Sequence, residues 1–323
     1  MIRLQRSLPG FLTRRSLRSY LINATMRMLV KPRFKSPPMT ASEMRAFMVS
    51  HIEPRARYVD GIATRDAQLA GLPARWVEPL DANDDALLLY LHGGAFVVET
   101  PQAHTAFLTH LTAACGIRAI MPSYRLAPEY PFPAAVDDCL DFYKALLDQG
   151  YDPSRLVLVG DSAGGNLALV TMQQARDAGL PLPACAVFIS PGMDLSGTTS
   201  QVENTTRDPM FNEHAVAAVI EHYLHGDFSL TADPRVSPLK GNFEGLPPLY
   251  FIAGSTEIFR DCSIHSAHRA KEAGVDANCD IWTNMPHCFP VMFQGVLPEA
   301  DQVLEDIAGF VREHAGIKDA RAA

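Results

Sequence analysis

Leu156-Val-Leu-Val-Gly-Asp-Ser-Ala-Gly-Gly-Asn166 runs from a short apolar strand, Leu156–Val159, directly into a helix predicted over Ala163–Ala178. Between them Gly160-Asp-Ser-Ala-Gly164 fits G-x-S-x-G. A strand that turns straight into a helix forces the central serine into a strained backbone, and only small neighbours tolerate the close approach. Ser162 would then present its Oγ at the carboxyl edge of a sheet. The positive end of the helix dipole beneath it would favour developing negative charge. The pattern alone also describes an ordinary Gly-rich turn. The strand before it and Gly164-Gly165-Asn166 after it point to a nucleophile.

Outward from this turn the chain alternates. Strands are predicted at Arg75–Glu78, Ala86–Leu91, Ile117–Met121, Ala186–Ile189, Pro248–Ala253 and Cys279–Trp282. Helices are predicted at Thr105–Ala114, Ala134–Leu147, Ser263–Ala273 and Glu299–His314. Strand and helix in turn mean a mostly parallel sheet covered on both faces. No strand is predicted between Asp194 and Pro247, where a helix near Asn212–Leu224 stands in a Pro/Gly-rich stretch. An insertion of that size reads as a lid over a functional site. The first 55 or so residues also lie outside the alternation, and the two segments are expected to pack together as one cap.

The N-terminal segment is unusual in charge. Up to Ala41 there are nine Lys or Arg and no acid, so the remainder carries −17 of a net charge of −8. Thr13-Arg14-Arg15-Ser16-Leu17 resembles a twin-arginine export signal, but Arg27 interrupts a weakly apolar stretch and no A-x-A site follows. A cytoplasmic location is the expectation. Leu12, Leu17, Tyr20, Leu21, Met28 and Leu29 fall near helical spacing, which predicts an amphipathic helix covering a site or resting weakly on an anionic membrane. The acidic balance of the whole chain speaks against a nucleic-acid partner. Composition is that of a globular protein, 47% hydrophobic and 20% charged. Six scattered cysteines without a C-x-x-C pair support neither a zinc site nor a disulfide scaffold. The oligomeric state stays open, a homodimer included.

His92-Gly93-Gly94-Ala95-Phe96 follows the strand Ala86–Leu91. Glycines there let backbone N–H groups face a ligand atom, which acyl transfer needs when a carbonyl oxygen becomes an oxyanion. The N–H groups of Gly93 and Gly94, with that of Ala163, are assigned as the donors. His92 reads as a residue that shapes the loop through backbone hydrogen bonds.

His92-Gly-Gly-Ala-Phe96, Tyr124-Arg-Leu-Ala-Pro-Glu129, Phe132-Pro-Ala-Ala-Val-Asp-Asp138 and Gly160-Asp-Ser-Ala-Gly-Gly-Asn166 together resemble the hormone-sensitive-lipase family of α/β-hydrolases, bacterial carboxylesterase branch. The resemblance runs from about Ala86 to the C-terminal helix. It implies an eight-stranded α/β-hydrolase sheet and a catalytic domain over 56–323. A helical cap would be built from residues 1–55 and an insertion at about 195–247. It also implies hydrolysis of small carboxylic esters, with no metal or organic cofactor. Ala95 stands where that family carries a third glycine, which could narrow one side of the site.

Such hydrolases order their triad Ser, acid, His along the chain. His287, in Asn284-Met-Pro-His-Cys-Phe289, follows the last predicted strand and is the candidate base. Two carboxylates compete for the acid, Glu257 and Asp261, in Gly254-Ser-Thr-Glu-Ile-Phe-Arg-Asp261. The family places its acid thirty residues before the histidine, which selects Glu257 and leaves Asp261 as the alternative. His265 and His268 lack ligand partners, and His222 and His225 read as solvated. Asp161 is expected to bond backbone at the turn, and Asp194 to shape a loop. Phe96, Val97, Met193, Phe211, Phe289 and Met292 are candidates for an apolar acyl cleft or for plain core. Lactones or activated amides would suit the same machinery. A non-enzymatic ligand binder on this fold would be expected to lack the base.

Overall fold

A computed structural model describes residues 2–4, 16–34, 39–80, 82–317 of the chain. In chain order the strands are β1 (Ile2–Leu4), β2 (Ile62–Leu69), β3 (Leu72–Pro79), β4 (Asn83–Leu91), β5 (Ile117–Pro122), β6 (Leu156–Asp161), β7 (Cys185–Ile189), β8 (Leu249–Gly254) and β9 (Ala277–Trp282). The helices are α1 (Leu17–Leu29), α2 (Ala41–His51), α3 (Pro101–Cys115), α4 (Ala134–Asp148), α5 (Ala163–Asp177), α6 (Thr199–Glu203), α7 (Glu213–Tyr223), α8 (Arg260–Glu272), α9 (Phe289–Met292) and α10 (Pro298–His314).

The sheet order is β1-β9-β8-β7-β6-β4-β5-β3-β2. Strands β1 through β5 along that order pair in parallel, and β3 and β2 continue antiparallel. Eight strands make the α/β-hydrolase sheet, and the three-residue β1 adds a ninth at the edge beside β9. The strand β2 has no counterpart among the predicted strands. It is an edge strand, Ile-Ala-Thr-Arg-Asp-Ala-Gln-Leu, with most side chains in water, so it carries no apolar run to read.

Central strands are mostly apolar because both faces are covered. Every residue of β6, β7 and β8 is buried. The two-residue period of a strand then splits the core into two layers. Leu87, Leu89, Leu158 and Phe188 face a layer closed by α4, α5 and α8. Leu88, Tyr90, Val157 and Val159 face a layer closed by α3 and α10. Each fully buried aliphatic side chain contributes roughly 1.5–3 kcal/mol relative to exposure. The six cysteines are all buried and unpaired. Among the described residues no helix is long and apolar enough to cross a membrane.

The N-terminal helix does not turn its apolar face over the site, one of the two readings left open for it. Leu17, Tyr20, Leu21, Met28 and Leu29 are exposed, while Ser19, Asn23 and Met26 form the buried stripe. The polar face docks because it finds partners. Asn23 Nδ2 donates to the Asn284 carbonyl at 2.9 Å, and Asn284 Nδ2 donates to Ser19 Oγ at 3.0 Å. Ser16 donates through N and Oγ to Glu299. The Thr13-Arg14-Arg15 stretch and Leu12 lie outside the described residues.

Candidate active site

At the carboxyl edge of β6 the backbone of Ser162 takes φ 51° and ψ −117°. That is a left-handed conformation that an L-residue holds only under constraint. The constraint comes from both sides. Ser162 N–H donates to the Ile189 carbonyl at 2.9 Å, and Gly192 N–H donates to the Ser162 carbonyl. Gly164 packs so closely under β4 that a Cβ there would run into the Leu91 carbonyl oxygen. Asn166 Nδ2 fixes the far side of the turn by donating to the Gly192 and Val236 carbonyls.

His287 Nε2 lies 3.0 Å from Ser162 Oγ, and His287 Nδ1 lies 2.9 Å from Glu257 Oε2. A carboxylate carries no hydrogen, so Nδ1–H is the donor to Glu257. In the neutral ring Nε2 is then free to accept from the Ser162 hydroxyl. Glu257 and His287 are buried, whereas Ser162 is half-buried and faces the cleft. The loops after β8 and β9 deliver acid and base side by side. Ser255 N–H donates to the Trp282 carbonyl and Thr256 Oγ1 to the Met285 carbonyl.

Asp261 does not reach His287. Its Oδ2 accepts from Ser200 N–H at 2.8 Å and its Oδ1 pairs with Arg260 in the first turn of α8. It therefore ties α6 to α8. Glu257 is held further by a residue whose role the sequence does not announce. Ser190 Oγ donates to Glu257 Oε1 at 2.7 Å and accepts from Cys288 N–H at 3.0 Å. Gly254 N–H also donates to Oε1. Asp208 is a second unannounced residue. Its carboxylate accepts from the backbone N–H of Met210, Phe211 and Ile258. It thus anchors the loop that presents Phe211 edge-on to His287, with ring centroids 4.9 Å apart. Burial pushes the Asp208 carboxyl up from its ordinary value.

The glycine loop corrects one assignment. Gly93 N–H donates to Asp161 Oδ1 at 2.7 Å, so its hydrogen is committed beneath the loop rather than offered to a ligand. Asp161 also accepts from Tyr90 OH. The backbone N–H groups of Gly94, Ala95 and Ala163 make no hydrogen bond among the described residues, and all three residues line the cleft. Gly94 takes φ 126°, and a Cβ there would collide with the Val98 carbonyl oxygen. Ala95 and Phe96 follow at φ 57° and 62°. His92 shapes this loop: Nδ1 bonds the Gly93 carbonyl oxygen at 2.8 Å and the ring stacks on Tyr124. Burial and the neighbouring His104 lower the His92 pKa, which keeps the ring neutral.

The cleft above Ser162 is apolar. Phe96, Phe211 and Met292 line it. Val97, Met193 and Phe289 are buried and stand outside the lining. The opposite wall comes from the N-terminal segment, through Phe34, Met44, Met48 and Ile52. Met44, Met48 and Ile52 fall four residues apart along α2 and its C-cap, and Phe34 stands at the end of the turn over 31–33. The N-terminal segment and the insertion touch repeatedly. Lys31 Nζ donates to the Thr205 and Asp208 carbonyls, Asn212 Nδ2 to the Phe34 carbonyl, and Phe34 meets Phe211 edge-on. His222, expected to be solvated, instead bonds the Met39 carbonyl oxygen at 2.7 Å and joins the two segments. His225, His265 and His268 are exposed. Asp194 shapes its loop by accepting from Ser196 N–H and Oγ–H.

Known proteins are similar to this chain in sequence and in fold. A family described as the alpha/beta hydrolase fold matches residues 88–291. An acetyl-hydrolase of Streptomyces hygroscopicus is 38% identical over 247 residues, which cover 75% of this chain and 80% of that protein. An esterase of Acinetobacter venetianus is 36% identical over 77% of this chain and 82% of its own length. The crystal structure of an esterase from the bacterial hormone-sensitive lipase family superposes with a TM-score of 0.86 at 36% identity. It covers 94% of this chain and 100% of its own.

Proposed function

The chain belongs to the α/β-hydrolase family, in its hormone-sensitive-lipase branch, and from that premise we propose a serine carboxylesterase that acts on short- to medium-chain esters. The observation that carries the reading is the unbroken line Glu257–His287–Ser162, with contacts of 2.9 and 3.0 Å, at the floor of an apolar cleft. Ser162 Oγ attacks the ester carbonyl carbon while His287 Nε2 takes its proton. The oxygen that becomes negative is held by the N–H groups of Gly94, Ala95 and Ala163. The third glycine of the family's loop is thereby replaced without loss, because a backbone donor needs no particular side chain. Collapse of the intermediate breaks the bond to the alcohol, which leaves with the proton from His287. Water then repeats the steps on the acyl-enzyme and frees the acid and Ser162. Glu257 keeps the imidazole in the right tautomer and stabilises its cation.

Of the N-terminal segment expected over 1–55, the part from Phe34 to Ile52 acts with the insertion, 195–247, as the cap, whereas residues 2–4 join the sheet as β1. Their side chains close the cleft above the serine, which limits acyl length to roughly C4 to C8. The name of the Streptomyces relative, an acetyl-hydrolase, supports the short end of that range. A purely ligand-binding role finds no support where nucleophile, base and acid are in contact. A cytoplasmic setting suits six unpaired thiols.

A panel of p-nitrophenyl esters of increasing chain length tests the reading. kcat/KM is expected to peak at short to medium chains and fall beyond about C8. Faster turnover of long-chain triglyceride emulsions than of soluble butyrate esters overturns it.

A further inference from the structure

We propose that the outward face of α1 is a docking surface for an anionic phospholipid bilayer. Helical spacing sets Leu17, Leu21, Ala24 and Met28 in one row on this helix. Leu17 is 82% exposed, Leu21 69% and Met28 70%, and Ala24 is exposed as well. The opposite row, Ser19, Asn23 and Met26, is the one that the body of the protein buries. The fold therefore holds the helix by a mixed side, Ser19 and Asn23 with Met26 and Ile22, and turns an apolar ridge to the outside that no core covers.

Charge selects the occupant. Arg18 and Arg27 flank the ridge and are exposed. Each donates to a backbone carbonyl, of Val296 and of Arg207, so neither has its charge neutralised there by a carboxylate. The first 41 residues hold nine cations and no acid, while the rest of the chain carries −17. An apolar ridge with arginines along its flanks is the pattern of a helix lying in the headgroup region. Anionic headgroups attract such a segment and repel the acidic body, so only this end of the molecule approaches the surface. A symmetric contact between two copies through the same face would bring two cationic segments together, which disfavours a dimer here. The helix leads through 31–33 to Phe34, a wall of the cleft, so docking would hold that wall next to the layer into which apolar esters partition.

Cosedimentation of the full chain with vesicles tests the proposal without depending on catalysis. Binding is expected to phosphatidylcholine–phosphatidylglycerol vesicles, not to phosphatidylcholine alone, and should fall with added salt. L21E/M28E should lose roughly tenfold or more of that binding, and R18Q/R27Q a similar amount. Both variants should keep their hydrolysis of a soluble p-nitrophenyl ester, which confirms that they fold. Equal binding to both vesicle types, no binding to the mixed vesicles, or wild-type binding by L21E/M28E overturns the proposal. So does a wild-type dimer, seen by gel filtration, that L21E/M28E converts to monomer.

Discussion

The loops around Ser162 and the helix α1 both hang on hydrogen bonds, but of different kinds. Around Ser162 the bonds are buried and link loops that follow four different strands. Asp161 reaches the loop after β4, and Ser190 reaches the loops after β8 and β9. At α1 the bonds reach outward from a helix whose other face is in water, and several end on backbone carbonyls. A buried polar group without its partner costs about 1–3 kcal/mol, whereas an exposed one is rescued by water. The first region should therefore fail as a unit when one member is removed, and the second should yield piecemeal.

The sharpest way to break that contrast is at the nucleophile. Ser162→Ala should lower turnover of a p-nitrophenyl ester by roughly four to six orders of magnitude, with circular dichroism and Tm preserved. A variant that keeps more than about a tenth of the activity removes Ser162 from the chemistry. Next comes the choice between two acids. Glu257→Gln should lower kcat by roughly two to four orders of magnitude with little change in KM. Asp261→Asn should appear mainly as lower stability, because its bonds go to Ser200 and Arg260. The reverse pattern of kinetics would move the acid to Asp261.

Ser190→Ala sharpens the comparison at smaller scale. It removes one partner of Glu257 and the acceptor for Cys288 N–H. kcat should fall roughly ten- to a hundredfold while KM stays nearly constant, since the groups that line the cleft are untouched. A change confined to Tm would make Ser190 merely structural.

The smallest effect belongs to the cap. Arg45 on α2 bonds the Val97 and Ala127 carbonyls and pairs with Glu129, whose carboxyl it holds down at about 2. A depressed carboxylate adds stability above its ordinary range near 4.5 and loses it as pH falls toward about 2. Glu129 is half exposed, so water screens the pair. Glu129→Gln should lower Tm by about 1–3 °C at pH 7, and the gap to wild type should close with acid. A gap that is constant from pH 7 to pH 3 would show that the pair contributes through packing alone.

These regions also differ in how much of them could be read from the chain. Ser162, His287 and Glu257 are found by motif and interval, because strand, turn and helix leave a local signature at each. Ser190 leaves none: its role depends on two loops that follow β8 and β9, far along the chain. Gly93 reads as an oxyanion donor and instead bonds Asp161, since a glycine in the chain marks room for a backbone N–H to approach a ligand but not which oxygen has claimed its hydrogen. The strand β2 carries no apolar alternation because water covers most of it. At α1 the helix was legible and its orientation was not. Spacing identifies an apolar face, but the direction in which that face points is decided by whether Asn284 and Glu299 wait on the other side.

Five of the six buried cysteines, all but Cys288 at the cleft, give this protein a built-in clock. Burial pushes the thiols of Cys115, Cys262 and Cys279 up to about 12, so almost no thiolate exists at neutral pH in the closed state. A thiol reagent can then label them only when the surrounding layer opens. Cys115 and Cys185 lie in the layer under α3 and α10, while Cys139, Cys262 and Cys279 lie in the layer under α4, α5 and α8. Labelling rates read by mass spectrometry, cysteine by cysteine, would report whether the two sides of the sheet come apart together or in turn.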